Sequence, residues 1–377
     1  MAVIRVHLPG CDADTPGDDR SYDIVCGTRL LPTVGNRLRH AGASRAVVIA
    51  DGAVVDSHAA VVCSALRSAG IDTSLIEVPA GEASKSVSES HRLWDEFATL
   101  AVDRRTHVVA VGGGVVGDLA GFVAATFARG LQVWQVPTTL VAQVDSAIGG
   151  KTGINLAGGK NLVGCFWQPR GVITDCDTLA TLPDREFRSG LAEVVKYGMI
   201  LDADFFAWLE ASAELLRNRV PESVAEAVER SAALKARVVE ADERETAGLR
   251  AALNYGHTFA HAYETATSYG TLLHGEAVAI GMTLAARLAE SLGRIGADVV
   301  ARQTTVLEAF GLPTSPSAAG SCSSDHLLTI MARDKKTVDG RLRFVLPRRI
   351  GHVELVADVP AGAVARVLAE RADGDAA

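Results

Sequence analysis

The sequence predicts an α/β protein of two domains, a mostly parallel sheet covered on both faces over residues 1–178 and a mainly α-helical domain over residues 179–377. Three observations predict it. Short apolar runs rich in β-branched residues alternate with helix-period segments through the first half. From about Leu179 the texture changes to long Ala/Leu/Val/Glu/Arg stretches with few strand signals. At 377 residues the chain also exceeds what one hydrophobic core usually serves.

In chain order, Pro9 to Tyr22 is polar and rich in Gly and Asp, as a surface loop is. Ala46 to Ala50 (AVVIA) predicts a strand that ends at Asp51. Ser84 to Leu100 predicts a helix with Val87, Leu93, Phe97 and Leu100 on one stripe. His107 to Val111 (HVVAV) predicts a buried strand, Leu119 to Ala128 a helix and Gln132 to Val136 a further strand. Glu222 to Glu243 and Glu276 to Leu292 predict helices of the second domain. One strand pair is expected near Leu342 to Leu346 and His352 to Leu355, and a frayed tail after Arg371.

Composition narrows the function. The chain is 48% hydrophobic and 22% charged, with a formal net charge of −8, which argues against a nucleic-acid partner. Any phosphate it holds should sit in a local basic pocket. Cys11, Cys26, Cys63, Cys165, Cys176 and Cys322 are scattered without a CxxC pair, the pattern of reduced thiols in a cytoplasmic protein. The N-terminus lacks the basic-then-apolar order of a signal peptide, and apolar runs stop short of the ~20 residues that a membrane helix needs, so no membrane partner is expected.

Three clusters carry chemistry. Gly112-Gly113-Gly114-Val115-Val116-Gly117-Asp118 follows a strand and precedes a helix, where glycines let backbone N–H groups approach a nucleotide phosphate. The turn lacks the acidic residue expected ~20 positions on; Asp51, ending the earlier strand, could contact the adenosine ribose or simply cap a turn. Ala142 to Asn155, followed by Lys160 and Asn161, packs Lys151, Gly149 and Gly150 into a stretch that can cradle an anion. Arg250, Asn254, His257 and His261 fall at i, i+4, i+7 and i+11, so they line one face of a helix, a polar face with no hydrophobic purpose that reads as an active-site wall. His274 completes three histidines within eighteen residues, and Glu193 and Lys196 stand at i, i+3 in an otherwise apolar helix. His257 and His261, spaced His-x-x-x-His, could place both imidazoles on one metal, with Glu193 as a third ligand beside two histidines in a His₂Glu site; the residue after His257 is Thr258, so the HExxH protease pattern is absent.

GGGVVGDLAGFVAAT, VPTTLVAQVDSAIGGKTGIN, GKNLVGCFWQP, GLAEVVKYGMI, LNYGHTFAHAYE and LHGEAVAIGM resemble, in order, the signature blocks of the 3-dehydroquinate synthase family of sugar phosphate cyclases, between about Asp51 and Lys336. The resemblance implies a Rossmann-like first domain and a helical second one. It implies zinc, with cobalt as a possible substitute, on Glu193, His257 and His274, and NAD against Asp51, Glu82, Lys85, Gly114, Val115, Val116, Gly117, Asp118, Thr138, Thr139, Lys151, Lys160, Thr178, Leu179 and Thr181. Asp145, Lys151, Lys196, Lys235, Arg250, Asn254 and His261 match catalytic positions; Arg129, Lys160, Asn161 and one of Lys335 and Lys336 match substrate-binding ones. Arg129 matches an arginine that reaches a partner subunit's site, which implies a homodimer.

The implied reaction is a step of the shikimate pathway to aromatic amino acids. It closes 3-deoxy-D-arabino-heptulosonate 7-phosphate to 3-dehydroquinate by oxidation, phosphate elimination, re-reduction and an aldol step, with NAD regenerated. Asn254 and His261 stand where valiolone-type synthases tend to carry Asp and Pro, and inosose-type synthases tend to carry Glu at the Asn254 position. Aminodehydroquinate synthases of antibiotic pathways keep nearly the same residues and are the alternative within the superfamily. A metal-dependent NAD polyol dehydrogenase, which would release NADH, is the alternative from another class.

Overall fold

Seven strands form one sheet in the first part of the chain, and continuous apolar runs in its central strands explain why both of its faces are covered. The computed structural model describes residues 1–8, 19–246, 248–267, 271–319, 322–333 and 342–369. The strands are β1 (Ala2–Val6), β2 (Tyr22–Gly27), β3 (Arg45–Asp51), β4 (Asp72–Val78), β5 (Thr106–Gly112), β6 (Gln132–Pro137), a hairpin of β7 (Lys151–Leu156) and β8 (Gly159–Phe166), and β9 (Gly171–Asp175). The sheet order is β1-β2-β9-β6-β5-β3-β4, all neighbours parallel except the antiparallel pair β1 and β2. Along β3, Ala46, Val48 and Ala50 pack with Val62 and Leu66 on one face, while Val47 and Ile49 pack with Leu93 and Phe97 on the other. Every residue of β5 is buried. Such continuous apolar strands belong to a sheet with helices on both sides.

The chain divides into two units, Met1–Leu182 with Val224–Arg244, and Pro183–Ser223 with Glu245–Ala377. The division therefore falls four residues later than the expected 178/179 boundary, and most of the helix Pro221–Ala241 joins the first unit. Its polar contacts explain this. Glu240 accepts a hydrogen bond from the His7 amide at 2.7 Å, Glu243 pairs with Arg20 at 2.9 Å and accepts from Gln168 at 3.1 Å, and Lys235 reaches Asp145. Among the described residues the second unit is mainly helical, with one antiparallel pair, β10 (Phe344–Arg349) and β11 (His352–Val356).

Element ends differ from expectation where capping decides. The helix expected from Ser84 runs over Val87–Thr99, because Ser86 accepts from the Glu89 amide at 3.1 Å and caps it. The helix expected from Leu119 begins at Gly114, directly after the glycine turn, and stops at Thr126 before the left-handed Ala128. Most of the Pro9 to Tyr22 stretch, and the tail from residue 370, lie outside the described residues.

His107 on β5 is 4% exposed, and its Nδ1 accepts the Trp134 indole N–H at 3.1 Å. Burial, with the nearby charge of Arg170, pushes its pKa down to about 4. An unfolded histidine titrates near ~6.5, so between these values the unfolded chain binds the extra proton. The stabilising contribution is complete above about pH 6.5 and is lost as pH falls toward 4, by up to about 3 kcal/mol. His107→Leu should flatten the pH dependence of the denaturation midpoint in that window and lower the midpoint at neutral pH, where Trp134 loses its acceptor. An unchanged slope between pH 7 and pH 5 would remove His107 from the account.

Candidate active site

In the first unit, β4 lies to one side of β3, whereas β5, β6 and β9 proceed to the other. The winding reverses between β3 and β5, and open α/β sheets bind ligands beyond the carboxyl ends of strands at such a reversal. Asp51 ends β3 and Gly112 ends β5; a Cβ built on Gly112 would stand 3.0 Å from Asp51 Oδ2. Asp51 Oδ1 accepts from the Ala53 amide at 2.9 Å, so one carboxylate oxygen caps its own turn.

Gly114, Val115, Val116, Gly117 and Asp118 open the helix Gly114–Thr126, whose first-turn N–H groups have no partner within the helix. A Cβ on Gly114 would come 2.7 Å from Ser146 Oγ, and one on Gly117 would come 2.8 Å from Gln135 Oε1. Ser146 Oγ is buried and without a hydrogen-bond partner among the described residues. A helix N-terminus, a closed glycine surface and an orphaned hydroxyl fit the phosphates of a dinucleotide.

Lys85, 5% exposed, donates to Asp118 Oδ2 at 2.6 Å and to Asn161 Oδ1 at 2.5 Å, and lies 3.9 Å from Glu82. Burial outweighs the Lys85 charge and holds the Asp118 carboxyl above its usual range. Glu82 accepts from Asn155 at 2.7 Å, and Asn155 accepts from the Asn161 amide at 2.8 Å, so the network ties the helix start to the β7–β8 hairpin. The anion-cradle stretch is therefore partly a hairpin, with exposed Lys151 beginning β7 and Lys160 near the start of β8. The Thr138 amide donates to Gly112 O at 2.9 Å, and Thr139 Oγ1 accepts from the Ala142 amide at 3.2 Å. Thr178 is buried, donating to Asp175 O and accepting from Gln143; Leu179 is buried beside it, and Thr181 meets His58 at 2.8 Å. The Lys235 ammonium pairs with the Asp145 carboxylate and donates to Asp145 O at 2.6 Å. Arg129 is exposed on left-handed backbone (φ 67°) after Ala128 (φ 49°), and no hydrogen bond or ion pair engages its guanidinium among the described residues.

In the second unit, three helices each supply one donor: Glu193 in Asp184–Leu201, His257 opening His257–Ala266 and His274 opening His274–Ser291. Their ligand atoms lie within 4.8 Å of one another. Glu193 Oε1 is 3.9 Å from His257 Nε2 and 3.6 Å from His274 Nε2. A tetrahedral ion with bonds of ~2.0 Å separates its ligands by roughly 3.3 Å. His257 Nδ1 faces Tyr255 O at 3.1 Å and His274 Nδ1 faces Glu264 Oε1 at 3.3 Å, which leaves both Nε2 atoms as lone-pair donors. Glu193 is fully buried, and its Oε1 has no hydrogen-bond partner among the described residues. An orphaned carboxylate oxygen facing two imidazole lone pairs fits a divalent cation. The Lys196 ammonium pairs with the other Glu193 oxygen.

The two histidines beside Glu193 are thus His257 and His274; His261, which spacing paired with His257, lies outside the donor group, its ring 5.6 Å from that of His257. Arg250 and Asn254 do not share a helix with them. They belong to a 3-10 turn, Leu249–Asn254, separated from His257 by Gly256 at φ 80°. Arg250 is buried and Asn254 half-buried. Lys335 and Lys336 lie outside the described residues. Glu264 was missed from sequence, although it stands seven residues after His257 and three after His261, on their face of the helix.

Residues 75–189 match the family model described as 3-dehydroquinate synthase N-terminal, and residues 190–337 the one described as 3-dehydroquinate synthase C-terminal. A 3-dehydroquinate synthase of Rhodopirellula baltica is 51% identical over 94% of this chain and 96% of its own. Among solved structures, a 2-deoxy-scyllo-inosose synthase complexed with carbaglucose-6-phosphate, NAD+ and Co2+ has a TM-score of 0.88 at 26% identity, covering 98% of this chain and all of that one. A 2-epi-5-epi-valiolone synthase from Streptomyces hygroscopicus with NAD+ and Zn2+ bound has a TM-score of 0.85 at 29% identity, covering 95% and 99%.

Proposed function

The chain belongs to the 3-dehydroquinate synthase family, and from that premise we propose that it converts 3-deoxy-D-arabino-heptulosonate 7-phosphate to 3-dehydroquinate and phosphate, with bound NAD and a divalent metal, zinc. The observation that carries this reading is the Glu193–His257–His274 donor group. A bound metal would polarise a substrate oxygen, and NAD would take up and return a hydride.

The chain's own residues supply the rest. Glu193 Oε1 and the Nε2 atoms of His257 and His274 would hold the metal, and three protein ligands leave room for substrate oxygens. Gly114 to Gly117 would hold the cofactor phosphates and the free oxygen of Asp51 the ribose. Lys235 pairs with the Asp145 carboxylate and orients it. Lys151, Lys160 and one of Lys335 and Lys336 would meet the substrate's anionic groups, while Arg250, Asn254 and His261 would orient its hydroxyls and carboxylate and move protons. The outward, unengaged guanidinium of Arg129 supports a role in a partner's site within a homodimer. Five free thiols among the described residues fit a reducing cytoplasm. No helix among the described residues is long and apolar enough to cross a membrane.

The test offers purified protein, loaded with NAD and zinc, the seven-carbon keto-acid phosphate and, separately, its amino analogue. Phosphate release from the former with a carbocyclic product is expected. Release only from the amino analogue, or from neither, would contradict the proposal.

A further inference from the structure

The proposed reaction leaves one buried carboxylate of the second unit without a task. The Glu264 side chain is 8% exposed, and its Oε1 faces His274 Nδ1 at 3.3 Å. The opposite nitrogen of that ring points at Glu193. His257 is supported differently, by the neutral carbonyl of Tyr255. A carboxylate behind an imidazole both stops the ring rotating and makes its far nitrogen a stronger donor.

The backbone of His274 is held independently of Glu264. Arg185 clamps Glu276 through both carboxylate oxygens at 2.7 and 2.8 Å, and the same arginine donates to Thr271 O at 2.7 Å. The Gly275 amide donates to Ser189 Oγ at 3.0 Å. Removing the Glu264 carboxylate therefore frees the ring and leaves the helix start in place.

We propose that Glu264 is a positioning residue for the metal, fixing the tautomer and orientation of His274 so that Nε2 joins Glu193 and His257. The inference rests on the reading that this donor group holds a divalent cation. Glu264 acts through His274, so its signature is metal affinity ahead of turnover.

The test titrates metal-free, full-length protein with Zn2+ and with Co2+ against a chromophoric chelator, for the parent, Glu264→Gln and Glu264→Ala. Glu264→Ala should weaken both ions by about 10–100-fold, the effect of losing an outer-shell partner. Glu264→Gln, whose amide oxygen still accepts from Nδ1 without the charge, should fall between it and the parent. At saturating metal both variants should recover most of the parent's kcat, and the visible Co2+ bands should shift in Glu264→Ala. Folding is checked by circular dichroism; should Glu264→Ala fail to fold, Glu264→Gln decides. Affinities equal to the parent's in a folded variant would overturn the proposal. A parent that binds neither ion would instead overturn the metal reading of the proposed function.

Discussion

Glu193→Gln is expected to remove tight metal binding and to destabilise the metal-free protein. Glu193 and Lys196 are 0% and 1% exposed, and their ion pair lies in the interior of the second unit. Glutamine keeps the shape but removes the charge that faces both the two imidazoles and the Lys196 ammonium. Breaking a buried pair from one side costs about 3–5 kcal/mol, whereas exchanging both partners for apolar residues is often neutral. Metal affinity should fall by more than the ~100-fold that outer-shell losses produce. The double variant Glu193→Leu with Lys196→Met should regain thermal stability and remain unable to bind metal, which separates the two effects. Thermal melts and chelator competition on the same samples check both, and a Glu193→Gln protein that keeps the parent's metal affinity would contradict the donor assignment.

Gly275→Ala should damage the same centre without touching a donor. A Cβ at Gly275 would stand 1.8 Å from Ser189 O, and one at Gly281 would stand 2.1 Å from Gly256 O. These are backbone atoms, which cannot step aside as a side-chain tip can. The helix beginning at His274 therefore meets the helix of Glu193 at Gly275 and the turn before His257 at Gly281, backbone against backbone. A methyl group at Gly275 forces the first pair apart by about 1 Å, against a tolerance of about 0.5 Å for a working site. Overpacking of this kind costs about 1–3 kcal/mol, and metal affinity should drop at least as far as in Glu264→Ala. Gly362→Ala, in a helix of the same unit where nothing lies within 4 Å, is the control: it should leave metal affinity unchanged and should not lower stability, since alanine is the better helix former.

Much of this was legible in the residues, and the exceptions have physical causes. The strands β3, β5 and β6 could be read because strands buried on both faces are continuous apolar runs. The hairpin of β7 and β8 could not, since KTGINL and GKNLVGCF mix glycine with polar residues and lack a clear alternation. The helix Pro221–Ala241 was legible as a helix, but its membership of the first unit depends on long-range contacts of Lys235, Glu240 and Glu243 that no local pattern contains. In the candidate site, Glu193 stood out as a charge in an apolar helix. Spacing alone suggested His257 with His261; the left-handed Gly256 and the separate helix of His274 decide for His257 with His274. The glycines that let these helices touch carry no chemistry, so sequence gave them no more weight than any other glycine.

A metal-assisted elimination in which NAD is used and restored is tested most directly by following phosphate and NADH together. Metal-stripped protein carrying NAD is mixed with the seven-carbon keto-acid phosphate, and zinc is then added back. The account predicts negligible phosphate before zinc, one phosphate per substrate consumed after it, and no net accumulation of NADH. NADH rising in step with substrate loss and without phosphate, or phosphate released at full rate before zinc returns, would contradict it.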